Sequence, residues 1–458
     1  MELIDGDTLR AEFGYLRETG NLVFHVALVG ILATLALAGC SSSSNEESTT
    51  ASPEASAAAE PVTVTLWHNL GDTQNAEATK ALTDAYTAAH PNVTFDLVSQ
   101  PGDNYFSLLQ AAAVSKSGPD LVLMWTGLFA LKYKEYLTNL KGLVADDALA
   151  SQGSLEWSSD NFDLASGPYV VPLDRQFYIG FYNKTAFEKA GVSAVPSNWD
   201  ELYAACGKLK SAGYTPIVYG NGGQSLGALY YPWYDASYLA IGQTTGPEGL
   251  RDLYNGKNAW NSKANIDTYS KYAALKSKGC TNSDILTKTD NVEDFLNEKA
   301  AMIIDGTWDT KKFTDKFGEN VAAFIPPFSD TKINGVVEFA GQGFALTSYA
   351  KSKDAAVDFL NFMMSEEGAK VIDGAGLIPN RTGSTTSNPV NQQMLGFADQ
   401  GILKYPMLDN VIQGDVVDAG NKIIPSILAG KTAPAKGLAQ LKQVWDQIPA
   451  ENKGDTYK

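Results

Sequence analysis

Histidine and cysteine are scarce, at three residues each in a chain of 458. None of them recurs at the spacing of a metal-binding cluster, so a zinc centre has no donor set to draw on. Basic residues are also in deficit. The 35 Lys and Arg stand against 52 Asp and Glu, a formal net charge of -17. Phosphate binding needs clustered Lys and Arg, and this balance excludes nucleic acid as a partner. The acidity itself speaks for solubility and names no ligand. Long apolar runs are missing except for one, at residues 21–39, and no internal repeat is visible. The remaining composition, 44% hydrophobic and 19% charged, is ordinary for a globular protein. The length exceeds what one hydrophobic core organises and predicts two domains.

The single apolar run ends in small residues, as an export signal does before its cleavage site. It closes on Leu37-Ala38-Gly39-Cys40, which resembles a bacterial lipobox. That resemblance implies diacylglycerol on the Cys40 sulfur, cleavage before Cys40 and a membrane anchor of acyl chains. The competing reading is a permanent transmembrane anchor, since about 18–20 apolar residues span a bilayer. The placing of Cys40, followed at once by Ser41 to Ser44, favours the lipoprotein. Residues 1–20 hold Arg10 and Arg17 but also Glu2, Asp5, Asp7, Glu12 and Glu18. A signal should open short and positive, so the true start is expected downstream, and residues 1–39 are set aside as a signal region. Residues 41–60 contain no apolar side chain larger than Ala. With Cys40 they read as a lipidated residue on a disordered tether, with an r.m.s. reach of roughly 25 Å. Cys206 and Cys280 then remain. An even pair outside the cytoplasm is compatible with a disulfide, and two separate buried thiols fit the sequence equally well.

The body opens with a βαβαβ rhythm. Strands are expected at Val62–Leu66, Val93–Val98 and Asp120–Met124, with helices at Thr73–Ala89 and Asn104–Lys116. Alternation of this kind predicts a parallel sheet covered by helices, with ligands received at the carboxyl ends of the strands. Those ends carry Trp67, His68 and Asn69 after the first strand, and Trp125 and Thr126 after the third. A second α/β region follows. It has strands at Tyr178–Tyr182, Thr215–Tyr219, Ala301–Ile304 and Val321–Phe324, and helices at Asn198–Ala212, 264–278 and 291–299. The stretch 221–260 is rich in Gly, Tyr and Trp and reads as loops and short helices, and 353–373 as one long helix.

Four segments in this order carry a family resemblance. They are Tyr182-Asn183-Lys184 with Phe187 to Gly191 and Pro196 to Leu202, Asn297 to Met302 running to Asp305-Gly306-Thr307-Trp308, Gly341 to Leu346, and Gly376 to Asn380. The chain resembles the extracellular solute-binding proteins of carbohydrate ABC importers, the family that includes maltose-binding protein, over roughly 61–450. The resemblance implies an α/β, two-lobed periplasmic-binding-protein-like fold, each lobe a mainly parallel sheet flanked by helices, with a hinge between the lobes. Lobe one is expected to comprise 61–172 plus 328–350, and lobe two 175–320 plus 351–458. The chain is expected to cross at Pro172-Leu173-Asp174 and to return near Ala322 to Pro327. The implied function is delivery of a mono- to oligosaccharide to permease subunits by hinge closure, by a monomer held at the extracytoplasmic face of the membrane through its lipid alone, with no cofactor.

A sugar offers apolar C–H faces and a rim of hydroxyls, and its site needs aromatic rings and planar hydrogen-bonding groups. Most aromatics are core, so position has to select the exceptions. Trp67 and Trp125 end strands. Trp308 lies in a turn just after a strand, where the family places a stacking Trp. Trp233 sits in Tyr230-Tyr231-Pro232-Trp233-Tyr234, similar to the loop that lines the family's second lobe. The polar candidates are His68, Asp174, Arg175, Gln342 and Arg381. Asp174-Arg175 stands at the expected crossing, with a local salt bridge as the alternative. Gln342 sits between glycines that permit close backbone approach. Asp72 reads rather as a cap for the helix at Thr73, and Asp305 as support for the Trp308 turn. Catalytic constellations are wanting. Gly220 to Ser225 has Ser where a dinucleotide fingerprint needs its third Gly. A lipid-anchored glycoside hydrolase, an adhesin or structural lipoprotein, and a binder of another solute are the rival readings.

Overall fold

The computed structural model describes residues 60–71, 73–220, 232–331, 335–399, 403–406, 411–450 and 453. All of them belong to one compact unit. The expectations for Cys40, the signal region, the tether up to residue 59 and Asp72 lie outside the described residues.

The first sheet has the order β2-β1-β3-β10-β4, formed by β1 (Val62–His68), β2 (Val93–Ser99), β3 (Leu121–Met124), β4 (Val171–Pro172) and β10 (Gly343–Leu346). β1 pairs in parallel with β2 and β3, and β10 runs antiparallel to β3 and β4. The two intervening helices, α1 (Gln74–Ala89) and α2 (Tyr105–Ser115), make the connections that parallel neighbours require. Thr73 caps α1, its hydroxyl accepting from the N–H of Ala76. Val64 and Leu66 of β1 pack with Leu82 and Tyr86 of α1 and with Phe359, Leu360 and Met363.

The second sheet follows the path β11-β9-β5-β7-β6, with β8 also paired to β5. Its strands are β5 (Arg175–Asn183), β6 (Thr215–Val218), β7 (Ala300–Gly306), β8 (Val321–Phe324), β9 (Gly335–Ala340) and β11 (Leu403–Tyr405). β5 is long enough to take β9 along its first half and β8 along its second, while β7 covers the other edge. Its side chains alternate between two cores. Phe177, Ile179 and Phe181 face one with Phe313 and Phe317, and Tyr178 faces the other with Trp199, Trp233 and Trp260. The remaining helices of eight residues or more among the described residues, over both sheets, are α3 (Trp199–Ser211), α4 (Ile241–Tyr254), α5 (Lys263–Ser277), α6 (Thr310–Phe317), α7 (Lys353–Met364), α8 (Glu366–Gly374), α9 (Pro389–Asp399), α10 (Gly414–Leu428) and α11 (Pro434–Gln447). Cys206 of α3 and Cys280 are disulfide-bonded, with Cα atoms 5.0 Å apart. Of the two readings open in the sequence, the structure takes the bridge.

The two-lobed α/β architecture stands as expected, with three differences. The sheets are mixed, not mainly parallel, because chain segments returning from one lobe to the other enter as antiparallel strands. The return does not occur at Ala322–Pro327, since β8 stays in the second sheet against β5. It occurs between β9 and β10, so residues 335–340 of the stretch assigned to lobe one belong to the second sheet. Finally, α7 and α8 lie in the stretch assigned to lobe two, yet Ala356, Phe359, Leu360 and Ile372 pack in the core of the first sheet.

Three segments therefore pass between the lobes, and they are tied to each other. Leu173 N–H donates to the Gln342 carbonyl at 2.9 Å, and Gly341 N–H to the Asp174 carbonyl at 2.8 Å. Arg175 N–H donates to the Ile378 carbonyl at 2.8 Å, and Asp174 forms a β-bridge with Pro379. Gly341 is required by this closeness, since a Cβ there would stand 2.2 Å from Asp174 Oδ1 and 2.6 Å from Gln176 Cδ.

Candidate functional site

The crossing segments meet the end of β3, where the Thr126 hydroxyl donates to the Ala340 carbonyl at 2.8 Å, and the turn after β7, at Thr307. Trp67 is half-buried one residue from the end of β1. Its carbonyl and that of Leu123 flank the buried hydroxyl of Tyr105, at 3.0 and 2.8 Å. His68 is buried, and its Nδ1 accepts from Leu70 N–H at 3.3 Å, which assigns the ring proton to Nε2. Burial lowers its pKa. Trp125 is half-buried and stands in an aromatic group, 4.6 Å from Phe129 and 5.5 Å from Phe106 between ring centroids. Gln342 is half-buried and directly precedes Gly343, the first residue of β10 and the partner of Met124 in β3, and its carbonyl accepts from Leu173 N–H.

Asp174 is wholly buried at the crossing. Gln176 Nε2 donates to both of its carboxyl oxygens, at 3.1 and 3.0 Å. Desolvation raises the Asp174 carboxyl to about 7, with the Gln176 and Asn75 amides pulling the other way. Asn75 lies close enough to favour the ionised carboxylate, but neither of its amide atoms makes a hydrogen bond within 3.5 Å. Arg175 turns away from this group. Its Nε donates to Glu338 Oε1 at 2.7 Å and Nη2 stands 2.6 Å from the same oxygen, with Lys404 on the other oxygen at 2.9 Å. Arg175 is thus held in a salt bridge, not the local one with Asp174 but one with Glu338, far away in the sequence.

Trp308 is half-buried in a single 3-10 turn between β7 and α6. Its indole lies on the backbone of Gly306, where a Cβ would come within 2.1 Å of the ring. Phe177 N–H donates to the Thr307 hydroxyl at 3.3 Å, fixing the turn to the start of β5, the end that follows Asp174. Asp305 supports the same turn, accepting from Gly306 N–H at 2.7 Å.

Two expected site residues are placed elsewhere. Trp233 has no exposed surface. It fills the second core beside Trp260 and over Gly420, where a Cβ would meet its ring at 2.4 Å. Arg381 donates to the Met364 carbonyl at 3.1 Å and so satisfies the C-terminal end of α7. Conversely, Gln74, Asn75, Phe106, Phe129 and Gln176 were not singled out by the sequence. The first two follow the Thr73 helix cap in the segment after β1, and that position past a strand's carboxyl end is the signal that could have found them.

A model of the family described as bacterial extracellular solute-binding protein matches residues 71–370, well over half of the chain. The chain belongs to this family. A model of the ResB-like family matches residues 2–98, a shorter stretch that reaches into the same β1-α1-β2 unit. An uncharacterized ABC transporter extracellular-binding protein of Pyrococcus horikoshii is 23% identical over 437 residues, covering 92% of this chain and 90% of that protein. The lactose-binding protein of Rhizobium radiobacter is 23% identical over 402 residues, covering 82% and 90%. Among solved structures, a chitin oligosaccharide binding protein superposes with a TM-score of 0.72 at 24% identity, covering 86% of this chain and 99% of its own. That likeness shows the fold.

Proposed function

We propose that the protein binds a mono- to oligosaccharide between its lobes and delivers it to the permease subunits of an ABC importer. The observation that supports this reading is the pairing of the buried Asp174 carboxyl with the Gln176 amide where the chain crosses between lobes, with the half-buried Trp67, Trp125 and Trp308 at strand ends and in the turn after β7. Indole faces match the C–H faces of a pyranose, and a carboxylate with amides matches its hydroxyls. Lactose and chitin oligosaccharide in the names of related proteins support the same class of ligand. His68 borders the site as a neutral group. Arg175 contributes at most through its hold on Glu338.

In this reading the lobes close by rotation about the three crossing segments, with 61–172, β10, α7 and α8 in one lobe and the remainder in the other. The protein acts as a binding protein without catalysis, and as a monomer. Cys40 carries the lipid that keeps it at the outer face of the cell membrane, as the Leu37-Ala38-Gly39-Cys40 sequence supports.

The test is a thermal-shift screen against chito-, xylo- and malto-oligosaccharides, lactose and single sugars, with chromatography of the recovered sugar. At 100 times Kd a ligand specific to the native state adds about 2.7 kcal/mol, a rise of about 3–6 °C in Tm. One sugar class should produce it and be recovered intact. Shortened products would turn the reading to a hydrolase. A panel without effect, against a shift from an amino acid or peptide, would dismiss sugar as the solute.

A further inference from the structure

The first turn of α1 bears two consecutive side chains that the first sheet does not need for its own packing. Gln74 is buried, and its Oε1 accepts from the backbone N–H of Lys311 at 3.3 Å. Its Nε2 donates to the Ala375 carbonyl at 3.2 Å. Ala375 ends α8, which packs on the core of the first sheet, while α6, which holds Lys311, sends Phe313 and Phe317 against Phe177, Ile179 and Phe181 of the second sheet. One side chain thus bonds both lobes.

The N-terminal end of α6, which donates this bond, needs such an acceptor. The first N–H groups of a helix have no acceptor within it. Asp309, at the N-cap of α6, supplies no side-chain cap. Its carboxylate is held by Lys312 at 2.6 Å. Gly376, at the start of the third crossing segment, has φ +85, and a Cβ there would stand 2.9 Å from Gln74 Nε2 and 3.4 Å from Lys311 Cδ. The contact is therefore closed in on the hinge side as well. The next residue, Asn75, has its amide beside Asp174 on the first crossing segment. Successive positions of one helical turn touch the opposite lobe and the hinge.

We infer that Gln74 is a latch that holds the Trp308 turn against α1 and sets the balance between open and closed cleft. This rests on the hinge reading above. Parting the lobes leaves the Lys311 N–H to water, and shutting them restores its bond to Gln74 away from solvent. A hydrogen bond of this kind shifts an equilibrium about 2- to 12-fold. A ligand that needs the closed form binds more weakly in proportion to the closed fraction that is lost. Gln74 is a positioning residue and need not touch the sugar.

The experiment uses the full chain carrying Cys40→Ser, with spin labels on Lys80→Cys of α1 and Lys263→Cys of α5, two exposed positions in different lobes. Pulsed dipolar distances are recorded without ligand and with the sugar that raised Tm. Gln74→Met keeps the length of the side chain and removes both bonds. Gln74→Glu keeps an acceptor for Lys311 N–H. Melting temperatures within a few degrees of wild type certify the fold. Gln74→Met should lengthen the distances in the absence of sugar and weaken its binding by about 2- to 12-fold, while Gln74→Glu, which keeps the bond from Lys311 N–H and loses the one to Ala375, should fall closer to wild type than Gln74→Met does. Distances unchanged in Gln74→Met, or displaced equally in Gln74→Glu, would overturn the latch. A wild type whose distances ignore every sugar removes the hinge reading itself. A responsive wild type matched by Gln74→Met removes the latch alone.

Discussion

Trp308 rests one face of its indole on Gly306 and keeps part of its surface open, while Trp233 is enclosed on all sides by the second core. The two should respond oppositely to truncation. Trp308→Ala should weaken sugar binding about 30- to 1,000-fold, the cost of about 2–4 kcal/mol typical of a buried aromatic anchor, and melt close to wild type. Trp233→Ala should cost about 3–5 kcal/mol of stability and lower affinity only through unfolding. Titration calorimetry and thermal melts on both variants decide the matter, and a Trp308→Ala protein of normal affinity would remove that residue from the site. Position along the sequence put Trp67, Trp125 and Trp308 beside the ends of strands, and they stand there half-buried, because strand ends are local features. It failed for Trp233, whose enclosure depends on Gly420, and for Arg175 and Arg381, whose acceptors Glu338 and Met364 are brought near only by the tertiary fold.

Elements followed the same rule. Strands and helices with clear periodicity, β1 to β3 and α1 to α3, occur within a few residues of where the pattern placed them. The expected helix 353–373 is two helices. Ser365 leaves helical geometry at ψ 173, and its side chain caps α8 by accepting from Gly368 N–H. Apolar periodicity runs through the break and conceals it. β4, β9 and β10 are short and take partners from distant segments, so nothing local announced them. The bond between Cys206 and Cys280 was equally undecidable before the approach of α3 to the residue after α5 was known. It closes a loop of 74 residues. Replacing both cysteines with Ser should lower unfolding free energy by about 4 kcal/mol on the chain-entropy estimate. Guanidinium unfolding of the double variant measures this, and an unchanged midpoint would show that the bridge adds nothing to the native state.

For the molecule as a whole, two buried carboxyl groups couple stability to pH. Asp235 accepts from Tyr219 at 2.6 Å and Tyr178 at 2.7 Å, with no basic side chain bonded to it among the described residues, and desolvation raises it to about 7. Asp174 is raised to about 7 for the same reason. An unfolded Asp titrates near 3.9, so between about 4 and 7 the native state holds more protons than the unfolded chain. Stability from this source falls as pH rises through that window and levels off above it. The lowered pKa of His68 acts in the opposite sense below about 6.5, because its neutral form is the one buried. Asp235→Asn isolates one contribution. The difference in Tm between pH 5.5 and pH 8 should move by several degrees towards greater stability at the higher pH. If the variant reproduces the wild-type difference, Asp235 is not a source of the coupling.

The way β3 takes its outer neighbour also governs when the first lobe is able to form. Leu121 to Met124 pair with Phe344 and its neighbours, and everything from β5 to β9 lies between them in the chain. A nascent polypeptide that has completed β1, β2 and β3 holds a parallel sheet whose β3 edge still lacks its final partner, a template for mispairing with any other strand. Its covering helices, α7 and α8, arrive later still. No cut at a lobe boundary yields a finished half. The earliest emerging chain able to shut its first sheet is already nearly whole, and until then this architecture favours a polymer kept extended, the form in which a chain is threaded through a membrane.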